Sequence, residues 1–309
     1  MAQPVRKEPD PAPAARMPAW LELLRPKQWA KNLVVLAGIL FTGTFTEPDR
    51  LGKVLLAIAG MALVSSACYV ANDLFDLERD RHHPTKRRRP LASGRISPGG
   101  ALALGIGALV AGLGLIAALG LPSLAIVLLY LLIQVLYNGG LKRVPVADVY
   151  CIAMGFVLRA VLGAAAITAA ISPWLVLCAG SLALMLGFAK RRHEYLMMDE
   201  QRESSRESLV HYSKSGLDAL VLVFACASAL CYAVYCIDSA TARKYPGLIL
   251  TAPFVAYGIS RYLLLVFGQD EGGEPADLLF RDPHLIGSVL LFIAAAIMAV
   301  SRVRIPFLE

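Results

Sequence analysis

Apolar and polar positions alternate along this chain in long blocks. Nine stretches of roughly 17 to 25 apolar residues follow one another, each long enough as a helix to cross a hydrocarbon core of about 30 Å. They run from Trp29 to Phe45, Leu51 to Leu74, Pro98 to Leu119, Pro122 to Asn138, Val144 to Ala170, Trp174 to Ala189, Leu217 to Ile237, Pro246 to Phe267 and Leu285 to Val303. The predicted fold is therefore an all-α integral membrane protein, a bundle of nine transmembrane helices built as one catalytic unit over residues 18–309. Met1 to Met17, rich in Pro, Ala and charge, reads as a disordered cytosolic tail.

Composition agrees with the blocks. With 57% hydrophobic residues and a mean hydropathy of +0.60 over 309 residues, the chain has too little polar surface to cover a globule in water. The six cysteines lie in or beside the apolar stretches and show no metal-ligand spacing, so they read as small hydrophobes.

Charge orients the bundle. The formal net charge is +7, and 22 of the 30 Lys and Arg fall in the N-terminal segment, Lys31 at the entry of the first stretch included, or after even-numbered stretches. Six fall on the other side, within or just beyond the ends of stretches (Arg50, Lys53, Arg243, Lys244, Arg302, Arg304), and Arg159 and Arg261 lie deeper inside stretches. The excess of positive charge predicts a multi-pass inner (plasma) membrane protein with its N-terminus and even-numbered loops in the cytosol and its C-terminus outside. Basic flanks of spans account for the net charge, so no nucleic acid partner is expected.

The chemistry sits in two loops on that same side. Asn72-Asp73-Leu74-Phe75-Asp76-Leu77-Glu78-Arg79-Asp80 ends the second stretch with carboxylates three and four residues apart. At about 100° per residue, Asn72, Asp73, Asp76 and Asp80 share one face and Glu78 points away. Carboxylates packed at an interface repel one another unless a cation lies among them, and a set of hard oxygens suits Mg²⁺ that completes its shell with substrate phosphate. Asp73, Asp76 and Asp80 are thus the predicted metal ligands of a diphosphate site. The following run holds Arg79, Arg81, Lys86, Arg87, Arg88 and Arg89, of which Arg79, Arg87 and Arg88 are candidates for phosphate contacts. Polar groups gathered at one face, rather than at the midplane, favour an enzyme over a lipid or ion transporter.

These residues resemble the UbiA superfamily of intramembrane prenyltransferases, whose NDxxDxxxD motif follows the second of nine helices, as Asn72 to Asp80 does here. The resemblance covers nearly the whole chain and implies a cytosol-facing cavity. Tyr137 and Lys142 look like that family's YxxxK element, and Arg25, Lys27, Gln28, Trp29, Lys31 and Asn32 form an RPKQWAKN lead-in to the first span. A second acidic motif, DxxxD, is expected after the sixth span for a prenyl diphosphate. Here that place reads Lys190-Arg191-Arg192-His193-Glu194-Tyr195.

The lead-in and this basic replacement resemble the decaprenyl-phosphate phosphoribosyltransferase branch. That resemblance implies Mg²⁺-dependent transfer of 5-phosphoribose from phosphoribosyl diphosphate (PRPP) to a polyprenyl phosphate, a step toward arabinan of the cell wall. Asn72 would contact a ribose hydroxyl or a metal-bound water, while Lys190, Arg191, Arg192 and Glu194, with Arg25, Lys27, Lys31 and Asn32, would serve substrate binding. The alternative is transfer of a prenyl group to an aromatic acceptor, with Glu194, Asp199 and Glu200 as a degenerate second motif.

Arg159, inside the fifth span, needs a partner or a cavity. Asp148 shares its helix face but lies about 16 Å away along the axis, leaving an interhelical salt bridge or a substrate contact. Arg261 is expected to snorkel to the interface. Small residues such as Leu104-Gly105-Ile106-Gly107-Ala108 and Leu162-Gly163-Ala164-Ala165-Ala166 permit close packing within or between subunits, compatible with a homo-oligomer.

Overall fold

A computed structural model describes residues 17–197, 207–268, 278–279 and 281–301. The N-terminal tail up to residue 16, Asp199 and Glu200 of the degenerate motif, and Arg302 and Arg304 lie outside the described residues.

Every described element is helical. The chain opens with α1 (Ala19–Leu23) and a 3-10 stretch (Pro26–Leu36) that runs into α2 (Ala37–Thr42). There follow α3 (Pro48–Phe75), α4 (Leu77–His82), α5 (Pro98–Ala117), α6 (Leu121–Gly139), α7 (Ala147–Ala166), α8 (Pro173–Leu196), α9 (Lys214–Asp238), α10 (Ala240–Lys244), α11 (Ala252–Gly268) and α12 (Pro283–Val300). Proline in the first turn starts α3, α5, α6, α8 and α12, where its missing N–H costs nothing. Ser97, Ser213 and Asp282 cap the starts of α5, α9 and α12 with their side-chain oxygens.

Eight helices among the described residues are long and apolar enough to span a membrane, one fewer than the sequence predicts. The difference is the first predicted span, Trp29 to Phe45. It is divided between the 3-10 stretch and the short α2, and 3-10 runs of 11 residues are uncommon. Its packing accounts for its irregularity. The stretch lies between α3 and α7 rather than at the rim, and a Cβ at Gly163 would sit 1.9 Å from the Val35 carbonyl oxygen. A Cβ at Gly38 would likewise meet the Gly163–Ala164 backbone, at 2.6 Å. The small residues of α7 are thus used within the subunit.

Neighbours in sequence pack as neighbours in space. α3 lies on α5, then α6, α7, α8, α9, α11 and α12 follow, and α12 returns against α2. Of the cysteines, all free, Cys178 and Cys236 are buried, and Cys226 is exposed on α9.

Candidate active site

The acidic motif straddles two helices. α3 ends at Phe75, Asp76 leaves helical geometry (φ −93°, ψ 7°), and α4 carries Asp80. The break replaces the single continuous helix that the spacing predicts, yet the Asp76 N–H still bonds to the Asn72 carbonyl and the Asp80 N–H to the Asp76 carbonyl. The facing is therefore kept. Asp73 and Asp80 are buried, Asn72 and Asp76 half-buried, and Glu78 and Arg79 exposed.

Basic side chains close over the acids. Arg25 Nη2 donates to Asp73 Oδ1 at 2.5 Å. Arg89 Nη1 bridges Asp73 Oδ1 at 3.0 Å and Asp80 Oδ2 at 2.6 Å, and Lys142 Nζ lies 3.8 Å from Asp76 Oδ1. Lys86 Nζ approaches Asp80 Oδ1 only to 4.0 Å, and that oxygen, although buried, accepts no hydrogen bond from the described residues.

Arg25 reaches this position from a left-handed backbone (φ 55°, ψ 60°), a conformation that costs a non-glycine residue about 1 kcal/mol or more. Its neighbours hold it there. The Trp29 indole donates to Ser66 Oγ at 2.9 Å, Ser66 Oγ donates to the Leu24 carbonyl at 2.7 Å, and the Arg25 guanidinium stacks 5.1 Å from the Tyr69 ring centroid.

The donor set fits a divalent cation. Among the described residues no three acidic, His or Cys side chains are gathered tightly enough to hold an ion alone. Among the described residues Asp80 nevertheless offers an unsatisfied buried oxygen, and Asp76 faces a loosely placed lysine. Oxygen donors short of a full shell suit Mg²⁺ that shares its coordination with a phosphorylated substrate.

At the end of α8 the structure differs from expectation. The helix runs on to Leu196, so Lys190 to Glu194 form its last turns rather than a loop. Arg191 and Arg192 face inward at 1% and 3% exposure. Arg191 Nε donates to Asp148 Oδ2 at 2.7 Å and Nη1 to Glu194, and the Tyr212 hydroxyl bonds the other Asp148 oxygen at 3.3 Å. Arg192 Nε donates to Asp218 Oδ1 at 2.6 Å and Nη1 to the Val266 carbonyl at 2.9 Å. These two arginines join α8 to α7, α9 and α11, and their charge is consumed by acids.

The remaining expectations divide by burial. Lys31, Tyr137 and Lys190 are half-buried, while Lys27, Arg87 and Arg88 are exposed. Arg261 pairs with Asp282 at 2.6 Å. Arg159 is buried and bonds Asn32, Gly155 and Tyr130, so the interhelical salt bridge does not form among the described residues. Two groups that the sequence left without a role are central here. Arg89 is one cation in a basic run, with no periodicity to single it out. Asp148 had a signal, an acid that opens an apolar helix shortly after Lys142.

Residues 32–281 match the UbiA prenyltransferase family. The chain belongs to the UbiA prenyltransferase family. Within it, the chain is 33% identical over 287 residues to decaprenyl-phosphate phosphoribosyltransferase of Corynebacterium glutamicum, covering 91% of this chain and 86% of that one. It is 32% identical over 300 residues to the protein of the same name from Mycobacterium tuberculosis, covering 94% and 96%. Its fold is that of a UbiA homologue from Archaeoglobus fulgidus solved with GPP and Mg²⁺, with a TM-score of 0.70 at 21% identity over 92% of this chain and 99% of that one.

Proposed function

We propose that this UbiA-family chain transfers 5-phosphoribose from PRPP to a polyprenyl phosphate, with decaprenyl phosphate as the acceptor, and releases diphosphate at the cytosolic face of the plasma membrane. The product would feed arabinan synthesis for the cell wall. The observation that carries this reading is the end of α8. Prenyl transfer in this family calls for a second acidic motif there, and this chain places Arg191 and Arg192 locked in ion pairs instead. Full-length similarity to two proteins named for phosphoribosyl transfer supports it.

In such a transfer the bond from ribose C1 to the diphosphate oxygen breaks, and the leaving diphosphate keeps the electron pair. A new bond forms from C1 to an oxygen of the acceptor phosphate. Mg²⁺, when held by Asp73, Asp76 and Asp80, would neutralise charge on the departing diphosphate. Arg25, Arg89 and Lys142, which cover those carboxylates, are placed to turn from them to phosphate oxygens. The acceptor phosphate is already an anion, so it attacks without a general base, and positioning dominates.

The test is purified protein in detergent with Mg²⁺ and decaprenyl phosphate, given labelled PRPP or a labelled prenyl diphosphate with an aromatic acid. Label passing from PRPP into lipid supports the proposal. Label passing only from the prenyl donor would replace it with prenyl transfer.

A further inference from the structure

Below the acidic motif a cation lies buried with no acid beside it among the described residues. Arg159 is 6% exposed. Its Nε donates to Asn32 Oδ1 at 2.8 Å, Nη1 to the Gly155 carbonyl at 2.7 Å and Nη2 to the Tyr130 hydroxyl at 3.2 Å. The guanidinium carbon also lies 4.9 Å from the Tyr130 ring centroid and 5.7 Å from that of Phe156. All of these partners are neutral. A buried charge left without a counter-ion is costly, and in a membrane-spanning segment such a group faces a functional cavity or partner.

The second observation is independent. Asn32 is 1% exposed, and its Nδ2 has no acceptor among the described residues. The amide cannot be turned round to relieve this, because Oδ1 is the atom that accepts from Arg159. Leaving a buried donor unmade costs about 1–3 kcal/mol. A lone positive charge and a spare N–H pair that meet at one point call for a ligand with negative oxygens.

Position narrows the ligand. Long side chains on a helix lean toward its N-terminus, and the Arg159–Gly155 bond shows this lean, so the guanidinium sits a turn nearer the acidic motif than its own Cα. Tyr130, its stacking partner, packs in one cluster with Cys68, which lies five residues, about 7.5 Å, along α3 from Asp73. Along α3 this places the point about one and a half helical turns from the acidic motif. Gly155 leaves room, since a Cβ there would press on Arg159 Nη1 at 3.3 Å.

We propose that Arg159 and Asn32 form a buried subsite for a phosphomonoester of a substrate, which rests on the reading above that both substrates carry one. The ribose 5-phosphate of the donor and the phosphate of the polyprenyl acceptor share this chemistry. A phosphate entering the subsite takes the free Asn32 N–H and draws Arg159 Nη2 from Tyr130.

The decisive variant is Asn32→Asp, which hands Arg159 the carboxylate it lacks and sets that carboxylate against an incoming phosphate. Binding of ribose 5-phosphate and of geranyl phosphate to protein in lipid nanodiscs is measured by calorimetry, beside thermal melting and KM for each substrate. The expected result is an unchanged or raised melting temperature with affinity for one phosphomonoester weakened roughly ten- to hundredfold. Loss confined to ribose 5-phosphate and the donor KM assigns the subsite to the donor, and loss confined to geranyl phosphate and the acceptor KM assigns it to the acceptor. Unchanged affinity for both overturns the proposal and leaves the pair as a cross-link between the lead-in and α7. Should Asn32→Asp fail to fold, Arg159→Lys keeps the charge without the fork, and unaltered binding of both ligands to it overturns the proposal equally. A wild-type protein that binds a phosphomonoester through Asn32 but moves no label from PRPP keeps the subsite and removes the proposed reaction.

Discussion

The Arg191 guanidinium meets the Asp148 carboxylate at 2.7 Å with both side chains at 2% exposure or less. Two charges this deep hold each other in place, and removing one strands the other. Asp148→Ala is expected to cost about 3–5 kcal/mol, read as a lowered melting temperature in detergent. Combining Asp148→Leu with Arg191→Met should restore part of the loss, because neither member of the buried pair is left stranded, while the half-exposed Glu194 gives up its contact with Arg191 to water. A normally stable Asp148→Ala protein that had lost only substrate affinity would return Arg191 to the substrate.

Asp76 is the clean probe of the acidic motif, being half-buried with its ion-pair partner Lys142 as far off as 3.8 Å. Asp76→Asn is expected to melt like the wild type while turnover falls about a hundredfold or more. EDTA should stop the wild-type enzyme, and excess Mg²⁺ should restore it. Turnover in EDTA-treated protein would remove the metal from the mechanism.

Within the basic run, geometry separates Arg89 from its neighbours. Arg89→Ala removes the bridge between Asp73 and Asp80, and kcat/KM for the donor is expected to fall roughly ten- to hundredfold. Arg87→Ala and Arg88→Ala, at exposed positions, should stay within about twofold of wild type. Equal losses at all three would mean that the run acts through bulk charge.

Gly163 measures how tightly the lead-in is seated. Gly163→Ala places a methyl group 1.9 Å from the Val35 carbonyl oxygen, so backbone must move. The expected cost is about 1–3 kcal/mol or more in thermal melting, with activity lost alongside because Asn32 rides on the displaced segment. An unperturbed melt would show that the two segments do not touch in the membrane.

Eight of the nine predicted spans correspond to helices, because hydropathy and first-turn proline report directly on which segments enter lipid. The first span departs because its course is set by contact with α7, which no local pattern encodes. The end of α8 departs for a related reason. Hydropathy marks where lipid stops, whereas Lys, Arg and Glu are good helix formers and carry the helix on to Leu196.

The one-faced array of Asn72, Asp73, Asp76 and Asp80 was legible from spacing alone, since the 3.6-residue period is local. So was the membrane character. Which cation meets which acid was not legible. Arg25 reaches Asp73 across 48 positions, Arg159 reaches Asn32 across 127, and Arg191 takes the Asp148 that sequence distance had only weighed for Arg159. Such pairings depend on which helices pack together, and the packing is decided by small residues and close backbone contact far from the charges it brings together.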